Sequence, residues 1–151
     1  MKIVIVGCGR VGASAAEAWS EAGHDVIILD ISTTAFERLS TTFKGAAIRG
    51  DGTDEDVLRR AGVEGADVFL ALTEGDNRNV MAAQIARHIF GVKIVASRVF
   101  DPLREEMYRY MGVRTINPTH VQARRLKRII EAPSDDESIE IAREFLEQDG
   151  R

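Results

Sequence analysis

The sequence predicts an α/β domain: a doubly wound parallel sheet of about six strands with helices on both faces. Short β-branched runs alternate with helical patterns along most of the chain, and the connections between them are short. The opening run Lys2–Val6 (KIVIV) is apolar at nearly every position, as expected of a parallel strand buried on both sides.

The elements follow in order. An alanine-rich helix is expected over Val11–Ala22, then a strand at Val26–Leu29 (VIIL) and a helix over Thr33–Phe43. Ala46–Ile48 reads as a weaker third strand, and Asp54–Ala61 as a short helix with Asp54 as its N-cap. Val68–Leu72 (VFLAL) is the fourth strand. Asn77–Phe90 places apolar residues at 81, 85, 89 and at 82, 86, 90, the spacing of a helix face, and Gly91 ends it. Lys93–Ala96 and Arg114–Ile116 are strands flanking a helix over Leu103–Met111. Pro118 suits the first turn of a helix running to about Ile130, with Val121, Leu126, Ile129 and Ile130 expected to pack inward. The spacing predicts a domain over residues 1–130. After Pro133, an acidic appendage over 131–151 contains an amphipathic helix at Ile139–Leu146 and has too few apolar residues to form a core of its own.

Composition narrows the function. A chain of 151 residues, 44% hydrophobic and 29% charged, is long enough for one well-packed core. The single cysteine, Cys8, excludes an internal disulfide framework and fits a reducing, cytoplasmic setting. Neither a secretory leader nor an apolar stretch approaching the ~18 residues of a membrane span is expected. The net charge of −4 is uneven: Glu131–Arg151 carries eight acids and two bases, and the preceding 130 residues are close to neutral. That distribution argues against nucleic acid as the partner. The dense basic run Arg124-Arg125-Leu126-Lys127-Arg128 reads as the solvated face of its helix.

The chemistry concentrates at Gly7-Cys8-Gly9-Arg10-Val11-Gly12. This Gly-x-Gly-x-x-Gly follows a buried strand and opens a helix, the context in which it binds a dinucleotide in a Rossmann domain. Gly7 permits the tight turn, Gly9 lets the backbone approach a pyrophosphate, and Gly12 lets helix and strand pack closely. The free N–H groups of the helix N-terminus then meet the phosphates. Asp30 closes the second strand 18 residues after Gly12, where a carboxylate accepts both ribose hydroxyls. It would repel a 2′-phosphate, and no arginine or lysine occurs from residue 31 to 37, so NAD(H) is expected over NADP. Asp51 in Gly50-Asp51-Gly52-Thr53 is placed either beside adenine or as a helix cap. Leu72 and Thr73 end the fourth strand beside the nucleotide crevice. Arg98 ends the fifth, poised between a phosphate and an ion pair with Asp101.

Catalytic groups are not apparent. His24, His88 and His120 are scattered without metal-ligand spacing, and neither Tyr108 nor Tyr110 is followed by a lysine four residues on. A binding domain is therefore expected. The competing reading is a domain of an NAD-dependent oxidoreductase.

The ordered set of Gly7–Gly12, Asp30, Gly50–Thr53, Leu58-Arg59-Arg60-Ala61-Gly62, Ala66-Asp67, Ala71-Leu72-Thr73, Asp76-Asn77-Arg78-Asn79, Ser97-Arg98 and Asn117-Pro118 resembles the N-terminal domain of the Trk/Ktr potassium-uptake regulators, also called the RCK or KTN (TrkA N-terminal) domain. The likeness spans about residues 1–130. It implies a regulatory subunit that forms a homodimer, or a larger ring, on the cytoplasmic face of an integral-membrane potassium transporter or channel. The ligand it implies is NAD(H) or ATP/ADP. By the resemblance Gly7, Gly9, Arg10, Val11 and Gly12 hold phosphates and Asp30 holds the ribose. Asp51 and Thr53 lie near adenine, Leu72 and Thr73 run along the nucleotide, and Arg98 is associated with the ligand. ATP-sensing relatives often carry a glutamate after the proline that opens the last core helix. Thr119 stands there instead, which favours NAD(H).

Overall fold

Successive residues of the KIVIV run point to opposite faces of a sheet, and each face has its own cover. The computed structural model describes residues 1–148, with side chains as far as Glu144. It contains six strands: β1 (Lys2–Val6), β2 (Asp25–Asp30), β3 (Ala46–Arg49), β4 (Val68–Ala71), β5 (Ile94–Arg98) and β6 (Arg114–Ile116). All pairings are parallel, in the order β3-β2-β1-β4-β5-β6. In β1, Ile3 and Ile5 join Val26, Ile28 and Leu70 in one apolar cluster, whereas Val4 and Val6 join Leu29, Phe69 and Ala71 in another.

Helix α1 (Arg10–Glu21) covers the first face with Ala13 and Ala16; α2 (Glu55–Arg60) and α3 (Asp76–His88) cover the second with Leu58, Ala82, Ala83 and Ala86. Alanine at these positions lets helix and sheet backbones approach closely. Asp54 caps α2 as expected, accepting from the N–H groups of Asp56 and Val57. In α3 the buried face is rotated from the sequence pattern. Ala82, Ala83 and Ala86 lie inside, while Met81 and Ile89 are about half exposed.

Two expectations are corrected. The helix expected over Thr33–Phe43 is only a 3₁₀ segment, Thr33–Arg38. Hydroxyl side chains flank it and bond locally, Ser32 with Thr34 at 2.8 Å and Ser40 with Thr42 at 2.9 Å, offering the chain alternatives to a long helix. Secondly, α5 (Pro118–Ile130) does not bury its apolar residues in the core. Leu126 is 59% and Ile130 79% exposed. The sheet ends at β6, so no further strand receives that face, and α5 packs chiefly against α6 (Asp135–Gln148). Residues 149–151 of the acidic appendage lie outside the described residues. Helix α4 (Pro102–Tyr110), between β5 and β6, is capped by Asp101. No described helix is long and apolar enough to cross a membrane.

Candidate nucleotide site

The strand order reverses between β1 and β4: the chain leaves β1 toward β2 on one side and later returns to β4 on the other. At such a switch point the loops beyond the strand ends diverge and leave a crevice. Here the crevice is a cavity of about 710 Å³, within the range of small-molecule and cofactor sites.

Three glycines shape its floor in different ways. Gly7 has φ +104°, and its N–H donates to the Leu29 carbonyl at 2.7 Å, tying the turn to β2. A Cβ on Gly12 would stand 1.9 Å from the Gly7 carbonyl oxygen, so only glycine lets α1 start this close to β1. A Cβ on Gly9 would meet nothing within 4 Å. Gly9 therefore leaves room at the cavity floor that packing does not require. No side chain caps α1 at Gly9, and the first-turn N–H groups beyond it remain available to an anion.

Asp30 stands beside this turn. One carboxylate oxygen accepts from the Cys8 N–H at 2.7 Å, the other from the Ser32 N–H at 2.9 Å. The main chain thus holds the group in place while leaving acceptor capacity for hydroxyls. Cys8 itself is fully buried, and burial, reinforced by Asp30, pushes its thiol pKa up. It supplies its backbone to the site, not a reactive sulfur. Asp51 is not a helix cap; it accepts from the N–H and hydroxyl of Thr53, which hold its carboxyl below the usual range.

The far wall is a tight polar knot. The fully buried Asn79 accepts from the N–H and hydroxyl of Thr73 at 2.8 and 2.6 Å and donates to the carbonyls of Thr73 and Arg98. Arg98 returns a hydrogen bond from Nη2 to the Thr73 carbonyl at 2.8 Å and lies over the Phe100 ring, 4.7 Å from its centroid. Of the two partners open to Arg98, Asp101 is engaged elsewhere: it caps α4 and pairs with Arg104. The buried Nε of Arg98 has no hydrogen-bond partner among the described residues. Burial lowers the guanidinium pKa, while Glu74 and Asp76 raise it. An oriented cation with an unanswered N–H suits an anionic or carbonyl ligand group.

Of the residues singled out from the sequence, Gly7, Gly9, Arg10, Val11, Asp30, Asp51, Leu72, Thr73 and Arg98 line the cavity. Gly12 lies behind it, packing α1 on β1, and Thr53 stands behind Asp51. Sequence reasoning missed Ser32, Thr34, Arg38, Glu74 and Arg78, which also line it, and Asn79, which orders one wall. Arg38 falls one residue beyond the cation-free stretch 31–37. Asn79 carried a signal in Asp76-Asn77-Arg78-Asn79, but not one that revealed its burial. The cavity presents four arginines against Asp30, Asp51 and Glu74, a balance suited to a ligand carrying phosphates.

A family model described as the TrkA-N domain matches residues 3–118. The Trk system potassium uptake protein TrkA of Streptomyces coelicolor is 47% identical over 116 residues, covering 77% of this chain and 52% of its own length. The chain thus spans about half of that relative. The TrkA-N domain of the inner membrane protein ybaL from Escherichia coli superimposes with a TM-score of 0.76 at 18% identity, covering 86% of this chain and 96% of that one. The GsuK channel bound to NAD gives a TM-score of 0.74 at 22% identity, covering 86% of this chain and 23% of that one. The two structural likenesses concern the fold.

Proposed function

The chain belongs to the TrkA-N domain family, and we propose that it is a nucleotide-sensing regulatory domain of a potassium transporter or channel. Its ligand is NAD(H), with ATP or ADP as the alternative. The observation that carries this reading is Asp30, fixed by two main-chain N–H groups beside the open space at Gly9 and the uncapped start of α1. A ribose diol on the carboxylate and a pyrophosphate on the α1 N-terminus need that juxtaposition. The name of the Streptomyces relative supports potassium uptake as the process, and the NAD-bound channel supports the ligand class.

Regulation, in this reading, runs through the far wall. A ligand group that engages Arg98 acts on Phe100 beneath it. The Phe100 N–H donates to Asp76 at the start of α3 at 2.8 Å, and its carbonyl accepts from Thr119 of α5 at 3.0 Å. Ligand occupancy thereby biases α5, whose uncovered apolar residues suit contact with a second copy of the chain. We place the assembly on the cytoplasmic face of the membrane, docked to an integral-membrane partner.

The domain acts by binding, not by turnover. Among the described residues, the proton-exchanging groups lining the cavity are Asp30, Asp51, Glu74 and the buried Cys8, and Asp30 and Asp51 are already engaged by backbone N–H donors. Titration calorimetry with NADH, NAD, ATP and ADP tests the ligand. Incubation with NADH and candidate carbonyl substrates tests the absence of chemistry: absorbance of the reduced ring stays constant if the domain is a sensor and falls if it is an oxidoreductase.

A further inference from the structure

The 3₁₀ segment that replaces the expected helix changes what faces the ribose end of the cavity. With three residues per turn, side chains three apart line up in a row. Ala35 and Arg38 accordingly both face the cavity, with Ser32 and Thr34 beside Asp30. We propose that Ser32, Thr34 and Arg38 form an anion subsite next to the adenine-side ribose, so that the domain takes the 2′-phosphorylated dinucleotide NADP(H) as well as NAD(H). The subsite rests on the nucleotide reading given above and extends its ligand class.

The groups needed are present and uncommitted. Arg38 makes one long hydrogen bond, from Nη1 to the Ala35 carbonyl at 3.3 Å, and no acid among the described residues pairs with it. The Ser32 and Thr34 hydroxyls share a single hydrogen bond of 2.8 Å, so one O–H of the two is left to donate outward. A guanidinium with hydroxyl donors is the donor set that a phosphate monoester takes.

The obstacle is Asp30, whose charge opposes a 2′-phosphate. Two features weaken it. Each Asp30 oxygen already accepts a main-chain N–H, from Cys8 and from Ser32. The Arg38 charge also reaches the same locality: at the buried Cys8 thiol, where burial dominates, Asp30 and Arg38 act with opposite sign. In a regular α-helix residue 38 would stand about 60° around the axis from Ala35, whereas the 3₁₀ turn puts the two in register. The lack of a cation between residues 31 and 37 therefore does not exclude a 2′-phosphate, because the local backbone brings residue 38 to the site.

The test is titration calorimetry of the chain with NADH and NADPH, and with 5′-AMP and adenosine 2′,5′-bisphosphate as probes of the phosphate alone. The expected result is NADPH binding within about tenfold of NADH, with the bisphosphate likewise within about tenfold of AMP. Arg38→Ala lowers the NADPH-to-NADH affinity ratio by at least roughly tenfold, the scale of one charge-assisted hydrogen bond. Ser32→Glu, which adds a repelling carboxylate, lowers the same ratio by an independent route. Wild-type NADPH binding more than about tenfold weaker than NADH, or a ratio unmoved by both substitutions, overturns the subsite. If NADH and AMP bind while their 2′-phosphorylated counterparts do not, the subsite alone falls. If none of the four binds, the NAD(H) reading falls and takes the subsite with it, leaving ATP or ADP as the ligand to test.

Discussion

The carboxylate of Asp30 accepts a 2.7 Å hydrogen bond from the backbone N–H of Cys8, joining the end of β2 to the middle of the glycine turn after β1. In the proposed site, the parts assigned to ribose and to pyrophosphate are thus joined before any ligand arrives. Such preorganisation reduces the ordering cost of binding.

The glycines of the turn separate folding from binding. Gly12→Ala forces a Cβ against the Gly7 carbonyl and should lower stability by about 1–3 kcal/mol or more. Gly9→Ala meets open space and should leave stability within about 0.5 kcal/mol while weakening NADH at least about tenfold. Thermal unfolding and calorimetry on the two variants check this. A Gly9→Ala protein that binds normally would show that the space over Gly9 is not where the phosphates lie.

Acid should loosen the α4–β6–α5 corner. The buried Glu105 accepts from Arg109 at 2.8 Å and Thr115 at 3.0 Å, with His120 at 3.5 Å. Burial pushes its carboxyl up, but Thr115, Arg109, Asn117 and His120 together bring it below the usual value. A depressed folded pKa contributes stability that is complete above the unfolded value, about 4.3, and is lost as pH falls through the folded value. Glu105→Gln should cost about 1–2 kcal/mol at neutral pH, with the difference from wild type shrinking below about pH 4. Denaturant unfolding across that pH range reads both effects.

Thr119 should report coupling. Thr119→Val removes the hydroxyl donated to the Phe100 carbonyl while nearly keeping shape. Hydrogen exchange should show NADH slowing α5 amides in wild type, with most of that protection lost in Thr119→Val. Equal protection in the two proteins would remove Phe100 from the route.

The uncovered face of α5 should govern self-association. The chain is expected to sediment as a dimer or larger species, and Ile130→Asp to shift it toward monomer. Because Ile130 is 79% exposed, its melting temperature as a monomer should change little. A wild-type chain that is monomeric at high concentration would contradict this assignment.

The legible parts of the molecule were those governed by local rules. The two-sided burial of Ile3 to Val6, the tight turn at Gly7 and the Asp54 cap follow from residue type and spacing, and so did the strand count. Features decided by tertiary context were hidden. Leu126 and Ile130 carry a core-like pattern, but whether a core lies opposite depends on where the sheet ends. Arg38 faces the cavity in line with Ala35 on the 3₁₀ segment Thr33–Arg38, whose flanking hydroxyls bond locally. Asn79 looks like a surface residue at a helix start, yet it is fully buried and joins Thr73 to Arg98.

The most direct test of the central claim is thermal unfolding with NADH, on wild type and on Asp30→Ala. A ligand at ~100 times its dissociation constant stabilises the folded state by about 2.7 kcal/mol. At roughly 2–4 °C per kcal/mol, the wild-type midpoint should rise by several degrees. The rise should largely vanish in Asp30→Ala at the same NADH concentration. A wild-type midpoint unmoved by NADH, NAD, ATP or ADP would contradict the account, because the cavity would then hold none of the nucleotides it is proposed to sense.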